Sequence, residues 1–348
     1  MPIRTNLLEE LVFFTTNQGP APVLDIWGAL ALPTVQAALE IGLFETLHSA
    51  PATPQEAAAR LEIDPRGADM LLPTLEGLGY LRQKEGRYSL TPMTAKWLLD
   101  GGAINFSAGF AFFGAMIPAL WHGLADTLRS GAPATHLYAW VEDRPEVSHA
   151  FQTWMVALAR YGQEEVVRSA PLPGHAQRLL DVGGGHALYS IGFCNRYPAL
   201  QATVLDSPRA LESARINIAD ATLQERIHTQ AGDFMADPWP TGQDVVLLFN
   251  VVHGLRADEN QELIHKAAAA LNPGGTVVLM EQLAGGGVGP ASRAVTRLLG
   301  LNYYHLLGGQ IYTYAEGAGW FEQAGFSGLR RVDLRKSPGV TLLIGTKR

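Results

Sequence analysis

The stretch that most constrains this chain is Arg178 to Ser190, RLLDVGGGHALYS, where an apolar strand runs into three consecutive glycines and an incipient helix. The next strand, ATVLD, ends on an acid, Asp206. Glycine lets the backbone turn sharply and lets a ligand lie against the main chain, and a carboxylate about twenty residues further on accepts both hydrogen bonds of a ribose diol. The dinucleotide fingerprint wants another glycine three residues after Gly185, where this chain has Leu188. An adenosine ligand without a pyrophosphate fits the turn better.

The surrounding pattern sets the fold class. From Ala176 onward the chain alternates strand-like and helix-like runs: RLLDV, HALYSIGFCNRY, ATVLD, ALESARINI, IHTQAGD, DVVLLFNVV, ENQELIHKAAAAL, GGTVVLMEQ, then GLRRVDLRK and VTLLIGTKR. Such alternation predicts an α/β, Rossmann-like domain over 176–348, a mostly parallel sheet between helix layers with its ligand at the carboxyl ends of the strands. Residues 24–100 read differently, as helices followed by a short hairpin. TPQE at Thr53–Glu56 has the form of a capping box, Asp64-Pro65 opens the next helix, and Glu85-Gly86 separates two strand-like runs. Helix, turn, helix and hairpin make a winged helix over 1–100. Residues 101–175 form a helical linker rich in aromatic groups, of which Phe110, Phe113, Trp154 and Met155 are candidates to line an apolar pocket beside those that fill the core.

Charge limits the partners. The formal net charge is -7, and the stretch from Asp64 to Tyr80 offers one cation, Arg66, against Asp64, Asp69 and Glu76. A helix that reads DNA needs cations facing the groove, so the winged helix is expected to pair subunits in a homodimer and to leave nucleic acid alone. One cysteine, Cys194, permits no internal disulfide, and MPIRTNLLEELVFF is not a signal peptide. A cytoplasmic protein that does not enter a membrane is the expectation.

The glycine turn with its leading acid, Asp181, resembles motif I of class I S-adenosylmethionine (SAM) methyltransferases. The segments IGLFETL, LLPTLEGLGYL, FQTWM, LLDVGGG, YPAL, VLDSP, GDFMADPWP, VVH, LNPGG and GWFEQAGF occur in the order and approximate spacing of the plant caffeate and bacterial small-molecule O-methyltransferases, which include acetylserotonin and anthracycline-type enzymes. The resemblance implies an N-terminal winged-helix domain for homodimerisation, a C-terminal SAM-binding domain and a small-molecule acceptor. Carried over by position, Gly183 and Gly185 lie against the methionine part of SAM, Asp206 holds the ribose, and Asp233 with Phe234 flanks the adenine. Asp181, Ser207, Gly232 and Asn250 complete the implied cofactor set. Asp206 is also suited to capping a turn, because Ser207-Pro208 follows it.

The family's general base is a histidine just after the fourth strand, and His253 keeps that position. Imidazole, with an ordinary pKa of about 6.5, suits removal of a proton from a phenol-like hydroxyl. The surroundings depart from the family. Gly254 and Leu255 replace the acid and the aromatic that follow the base, Phe249 stands where lysine is common, Gly300 replaces an aspartate, and Gly309-Gln310-Ile311-Tyr312-Thr313 replaces a Gly-Arg-Glu-Arg-Thr-like run. A histidine without a carboxylate to orient it is a weaker base, which shifts weight from phenols towards nitrogen or carboxylate nucleophiles. LNYYHLLGG adds Asn302 and Tyr303 as substrate contacts and His305 as a second catalytic candidate, able to orient His253, bind substrate or share a metal with it. No close ligand spacing supports a metal, and none is assigned. The reading is a methyltransferase acting at oxygen or nitrogen of a small aromatic or heteroaromatic metabolite of secondary metabolism. Its rivals are a metal-assisted C-methyltransferase of an α-keto acid, a SAM-binding enzyme that does not methylate, and a metabolite-sensing regulator.

Overall fold

Local signals start the N-terminal elements where the sequence marks them. The Thr53 hydroxyl accepts the Glu56 N–H while the Glu56 carboxylate accepts the Thr53 N–H, so both orphan donors at the start of helix Pro54–Leu61 are satisfied. Asp64 caps helix Pro65–Gly77 through the Gly67 N–H. Glu85 and Gly86 both take positive φ, 53° and 77°, the turn that suits a tight hairpin. It joins β1 (Leu81–Lys84) to β2 (Arg87–Leu90) in antiparallel register, Leu81 opposite Leu90. In the computed structural model, which describes Ile3 and residues 5–99, 104–285 and 289–348, these elements share a core of Val35, Phe44, Leu72, Leu75 and Leu81. Helical runs Pro22–Glu40 and Ser107–Ser130 are long and apolar enough to cross a membrane by length and composition, and most of each is uncovered in the single chain.

The chain divides into two units, Met1–Pro118 and Ala119–Arg348. The expected boundary at 100/101 lies outside the described residues, and the stretch expected as a linker is shared between the units at Pro118.

In the second unit seven strands form one sheet. They are β3 (Arg178–Val182), β4 (Gln201–Asp206), β5 (Ile227–Ala231), β6 (Gln243–Phe249), β7 (Leu271–Gln282), β8 (Phe326–Asp333) and β9 (Val340–Lys347), in the order β5-β4-β3-β6-β7-β9-β8. Five pair in parallel, while β9 runs antiparallel between β7 and β8. β6 reads as a continuous apolar run from Val245 to Phe249 because both faces are covered, and β3 after Arg178 is apolar but for the buried Asp181. Helices Pro145–Ser169, Leu188–Arg196 and Ala210–Asp220 pack over one face, and Ala257–Ala270 with Tyr314–Gln323 over the other. The strand order changes direction between β3 and β6, which opens a crevice beyond their carboxyl ends. Gly183, Asp206, Asn250 and Glu281 stand along that edge.

Candidate functional site

β3 delivers the chain into the crevice at Gly183, whose φ is +67° and whose N–H donates to the Leu205 carbonyl. A Cβ here would lie 2.8 Å from Val251 Cγ2, and the Phe234 ring edge is 4.0 Å away, so the position needs glycine on both conformational and steric grounds. The Gly185 N–H donates to Asp206 Oδ2 at 2.9 Å and the Ser207 N–H to Oδ1 at 2.7 Å. Each carboxylate oxygen thus keeps acceptor capacity for a ligand hydroxyl. Burial raises the Asp206 pKa, and those two N–H donors oppose the shift.

Asp181 is 1% exposed. Its Oδ2 accepts the Ser190 hydroxyl at 2.7 Å, and its Oδ1 has no partner among the described residues. Burial pushes this carboxyl up to about 7, the Ser190 hydroxyl holding it back. A buried acceptor with nothing to accept from is costly, and a ligand cation would satisfy it.

The remaining expected cofactor residues have local duties visible in the backbone. The Ser207 hydroxyl accepts the Ala210 N–H at the entry to the next helix, and the Gly232 N–H donates to the Asp206 carbonyl. Asp233 Oδ1 accepts the N–H groups of Met235 and Ala236, which fixes the turn that presents Phe234. Asn250 has φ +55°, and its N–H donates to the Met280 carbonyl.

On the other side of the crevice His253 sits on a single 3-10 turn, Val252–Gly254, just beyond β6. Its Nδ1 lies 3.0 and 2.9 Å from the two oxygens of Glu281, near the end of β7, and its backbone N–H donates to the same carboxylate at 3.3 Å. The residues are 7% and 1% exposed. The expectation of an unoriented base is therefore corrected: the carboxylate comes from the neighbouring strand, 28 residues on, and not from the residue after the histidine. Glu281 accepts a hydrogen bond from Nδ1–H, which keeps the ring proton on Nδ1 and leaves Nε2 as the ring's lone-pair nitrogen. Tyr303 stacks on the ring at 3.8 Å and 14°, which holds its plane. Gly309 lets the chain pass behind it, since a Cβ there would overlap the His253 carbonyl oxygen and lie 2.8 Å from Gly254 C.

His305 has a different setting from the one expected. It is 3% exposed, with Nδ1 2.9 Å from the Thr127 hydroxyl and Nε2 3.0 Å from the Leu120 carbonyl. A carbonyl only accepts, so Nε2 carries a proton, and the Thr127 hydroxyl donates to Nδ1. Both nitrogens are engaged, and a metal shared with His253 would require breaking these bonds. Asn302 likewise accepts the Trp121 indole N–H at 3.1 Å. Of the expected aromatic pocket, Phe110 packs against the N-terminal core, Phe113 meets Phe112 edge-on, and Trp154 and Met155 are half-buried on helix Pro145–Ser169.

Two site residues carried no sequence signal that was read as such. Glu281 is an acid closing an otherwise apolar strand run, TVVLMEQ, and that contrast was the available clue. Tyr138 keeps 43% of its surface open, yet burial, and after it Asp206 and Glu281, push its hydroxyl up to about 12. Its ring meets Phe151 edge-on at 6.1 Å.

The family model of the O-methyltransferase domain matches residues 121–327, and that of the O-methyltransferase dimerisation domain matches 26–100. The chain is an O-methyltransferase family member. It is 34% identical over 313 residues to 3-hydroxy-5-methyl-1-naphthoate 3-O-methyltransferase of Streptomyces sahachiroi, covering 88% of each chain. It is 30% identical over 346 residues to L-tyrosine C(3)-methyltransferase of Streptomyces lavendulae, covering 92% of this chain and 91% of that one. Among solved structures it resembles the apo form of the S-adenosylmethionine-dependent methyltransferase SibL, with a TM-score of 0.72, 27% identity, and coverage of 94% and 99%. The methyltransferase is SAM-dependent and homodimeric through its N-terminal domain. Its residues fit the cofactor: the unpartnered Asp181 Oδ1 suits an ammonium group, the Gly183 turn leaves no room for a side chain, and Asp206 faces the crevice with acceptor capacity.

Proposed function

We propose that this methyltransferase modifies a hydroxyl of a small aromatic metabolite, with His253 Nε2 as the general base. The His253–Glu281 pair carries the reading. Glu281 fixes the tautomer and stabilises the imidazolium that forms when Nε2 takes the acceptor's proton, and Tyr303 keeps the ring from turning. A competent base returns the weight to acidic hydroxyls, which need one, from amines, which do not. SAM supplies a methyl group already activated on a sulfonium. Asp206 would hold its ribose, Phe234 and Asp233 its adenine edge, and Asp181 with the Gly183–Gly185 turn its methionine end. His305 acts through its bonds to Thr127 and Leu120, as a group that positions the helix bearing Tyr303.

The naphthoate relative is named a 3-O-methyltransferase of a hydroxylated ring, which supports a hydroxyl acceptor here, while the tyrosine relative, named a C(3)-methyltransferase, supports only the aromatic class of the substrate. The partner subunit would cover the exposed apolar N-terminal side chains, among them Leu7, Phe14, Ile26, Trp27 and Leu30, with no nucleic acid or membrane engaged and the enzyme in the cytoplasm. The test is incubation of the purified chain with methyl-labelled SAM and a panel of phenols and heteroaromatic amines, the labelled atom being located by mass spectrometry. Label on phenolic oxygen is expected. Label confined to amines, or Asp206→Ala binding SAM as tightly as the native chain by calorimetry, would overturn the assignment.

A further inference from the structure

Helix Pro290–Leu307 carries Tyr303 against His253, and one stripe of it leads away from that contact. Arg293, Thr296, Arg297 and Gly300 recur at the three- and four-residue spacing that puts side chains on one face. Together with Ala284, Gly285, Gln310 and Ile311 these residues line a groove of about 420 Å³. No acid is among them. Neither guanidinium makes an ion pair or hydrogen bond to any described residue, although the chain carries 33 acidic side chains against 26 Lys and Arg.

The two positions where the family resemblance leads one to expect acids, Gly300 and Ile311, both face this groove and each other. A Cβ on Gly300 would lie 3.6 Å from Ile311 Cβ. The lining is thus free of the carboxylates that would neutralise two arginines four residues apart, whose Cβ atoms are about 5–6 Å apart on a helix. The groove lies beside the elements that carry the base and its ring partner. Thr296 accepts a hydrogen bond from Gln282 at 2.9 Å, and Gln282 follows Glu281 in β7. Arg297 is six residues from Tyr303, about 9 Å along the helix axis, within the combined reach of an arginine side chain and a one- or two-ring acceptor.

We infer that Arg293 and Arg297 form a carboxylate-binding subsite, so that the acceptor is an aromatic acid whose hydroxyl reaches His253 while its carboxylate lies in this groove. The inference rests on the methyl-transfer reading and names its substrate class. Guanidinium matches a carboxylate through paired parallel N–H donors, and an anion bound there would fix which ring position meets the base.

Hydroxybenzoic and hydroxynaphthoic acids paired with their methyl esters keep the hydroxyl and remove the charge. The native full-length chain should bind the acids at least tenfold more tightly than the esters, measured by calorimetry with the demethylated cofactor present. It should also methylate the acids with the lower KM. Arg297→Gln and Arg293→Gln should raise KM for acids tenfold or more, leave the esters within twofold, and keep kcat, while Arg297→Lys should recover part of the loss. Inorganic phosphate should compete weakly, and competition as strong as that of the acids would mark a site for free anions and overturn the substrate assignment. Equal binding of acids and esters, or variants that weaken both alike, would overturn the subsite while methylation of neutral phenols left the enzyme reading intact. Acids bound through the arginines with no transfer to any acceptor would leave the subsite standing and remove the methyl-transfer reading instead.

Discussion

Replacing Glu281 with glutamine changes one atom and should silence the base. In the native pair Nδ1 sits 2.9 and 3.0 Å from two acceptor oxygens, so the ring proton is on Nδ1 and Nε2 is free to accept. A glutamine amide can donate to Nδ1, which moves the ring proton to Nε2 and turns the base into a donor facing the acceptor. General base catalysis is worth roughly 10² to 10⁴ in rate, and a wrong tautomer in a comparable triad costs about 10⁴. Because the pair is nearly excluded from water, with exposures of 7% and 1%, little solvent is available to rescue the proper form. We expect Glu281→Gln to lower kcat by about 10³, or ~4 kcal/mol at 1.36 kcal/mol per decade. The SAM affinity should hold, since Asp181, Gly185 and Asp206 lie on β3, the turn after it and β4. The residual rate should climb at alkaline pH, where a phenol of pKa near 10 ionises unaided. The assay is initial-rate transfer of labelled methyl from pH 6 to 10, with calorimetric SAM binding as control. A variant retaining more than about a third of the native kcat at neutral pH would refute the tautomer argument.

Asp181 gives a pH prediction of the opposite kind. Its folded pKa, about 7, lies above the ordinary carboxyl value, so between those values the folded state holds a proton the unfolded state has lost. Its contribution to stability falls as pH rises through that window and is level above it, whereas a ligand ammonium favours the ionised form, so SAM should bind more tightly from pH 5.5 to 7.5; a flat profile, or the same profile in Asp181→Asn, would count against this. Gly309→Ala should push the His253 carbonyl and cost turnover far more than SAM affinity; unchanged kcat would mean the chain yields at no cost there. Ala187 is buried at φ +62°, a conformation that L residues adopt at about 1–2 kcal/mol, so Ala187→Gly should raise the melting temperature modestly, and a fall would show that backbone entropy outweighs the strain.

Much of this was legible because the signals were local. The capping box at Thr53, the Glu85-Gly86 hairpin and the run from RLLDV through the glycines each specify their conformation within a few residues, and the strand-and-helix alternation then leaves few arrangements of the sheet. The Asp206 position is equally local, a carboxylate at a strand end beside a glycine N–H. Glu281 was missed because its partner is 28 residues away, and the contact exists only when β6 and β7 pair in register, Phe249 opposite Met280. His305 was overread for the same reason: helical spacing puts it on the helix that carries Tyr303, while the groups that occupy its nitrogens, Thr127 and the Leu120 carbonyl, come from residues 178 and 185 positions earlier.

The crevice is assembled from two separate blocks of chain. On the proposed reading, residues 181–250 build the donor side along β3, β4, β5 and β6, and residues 253–285 with 289–311 build the acceptor side beyond β6 and β7. Substitutions, or exchange of a whole segment beyond Asn250, would then alter what is methylated while leaving the cofactor side untouched. In a lineage under selection for new products this layout separates two traits that a single interleaved site would force to change together.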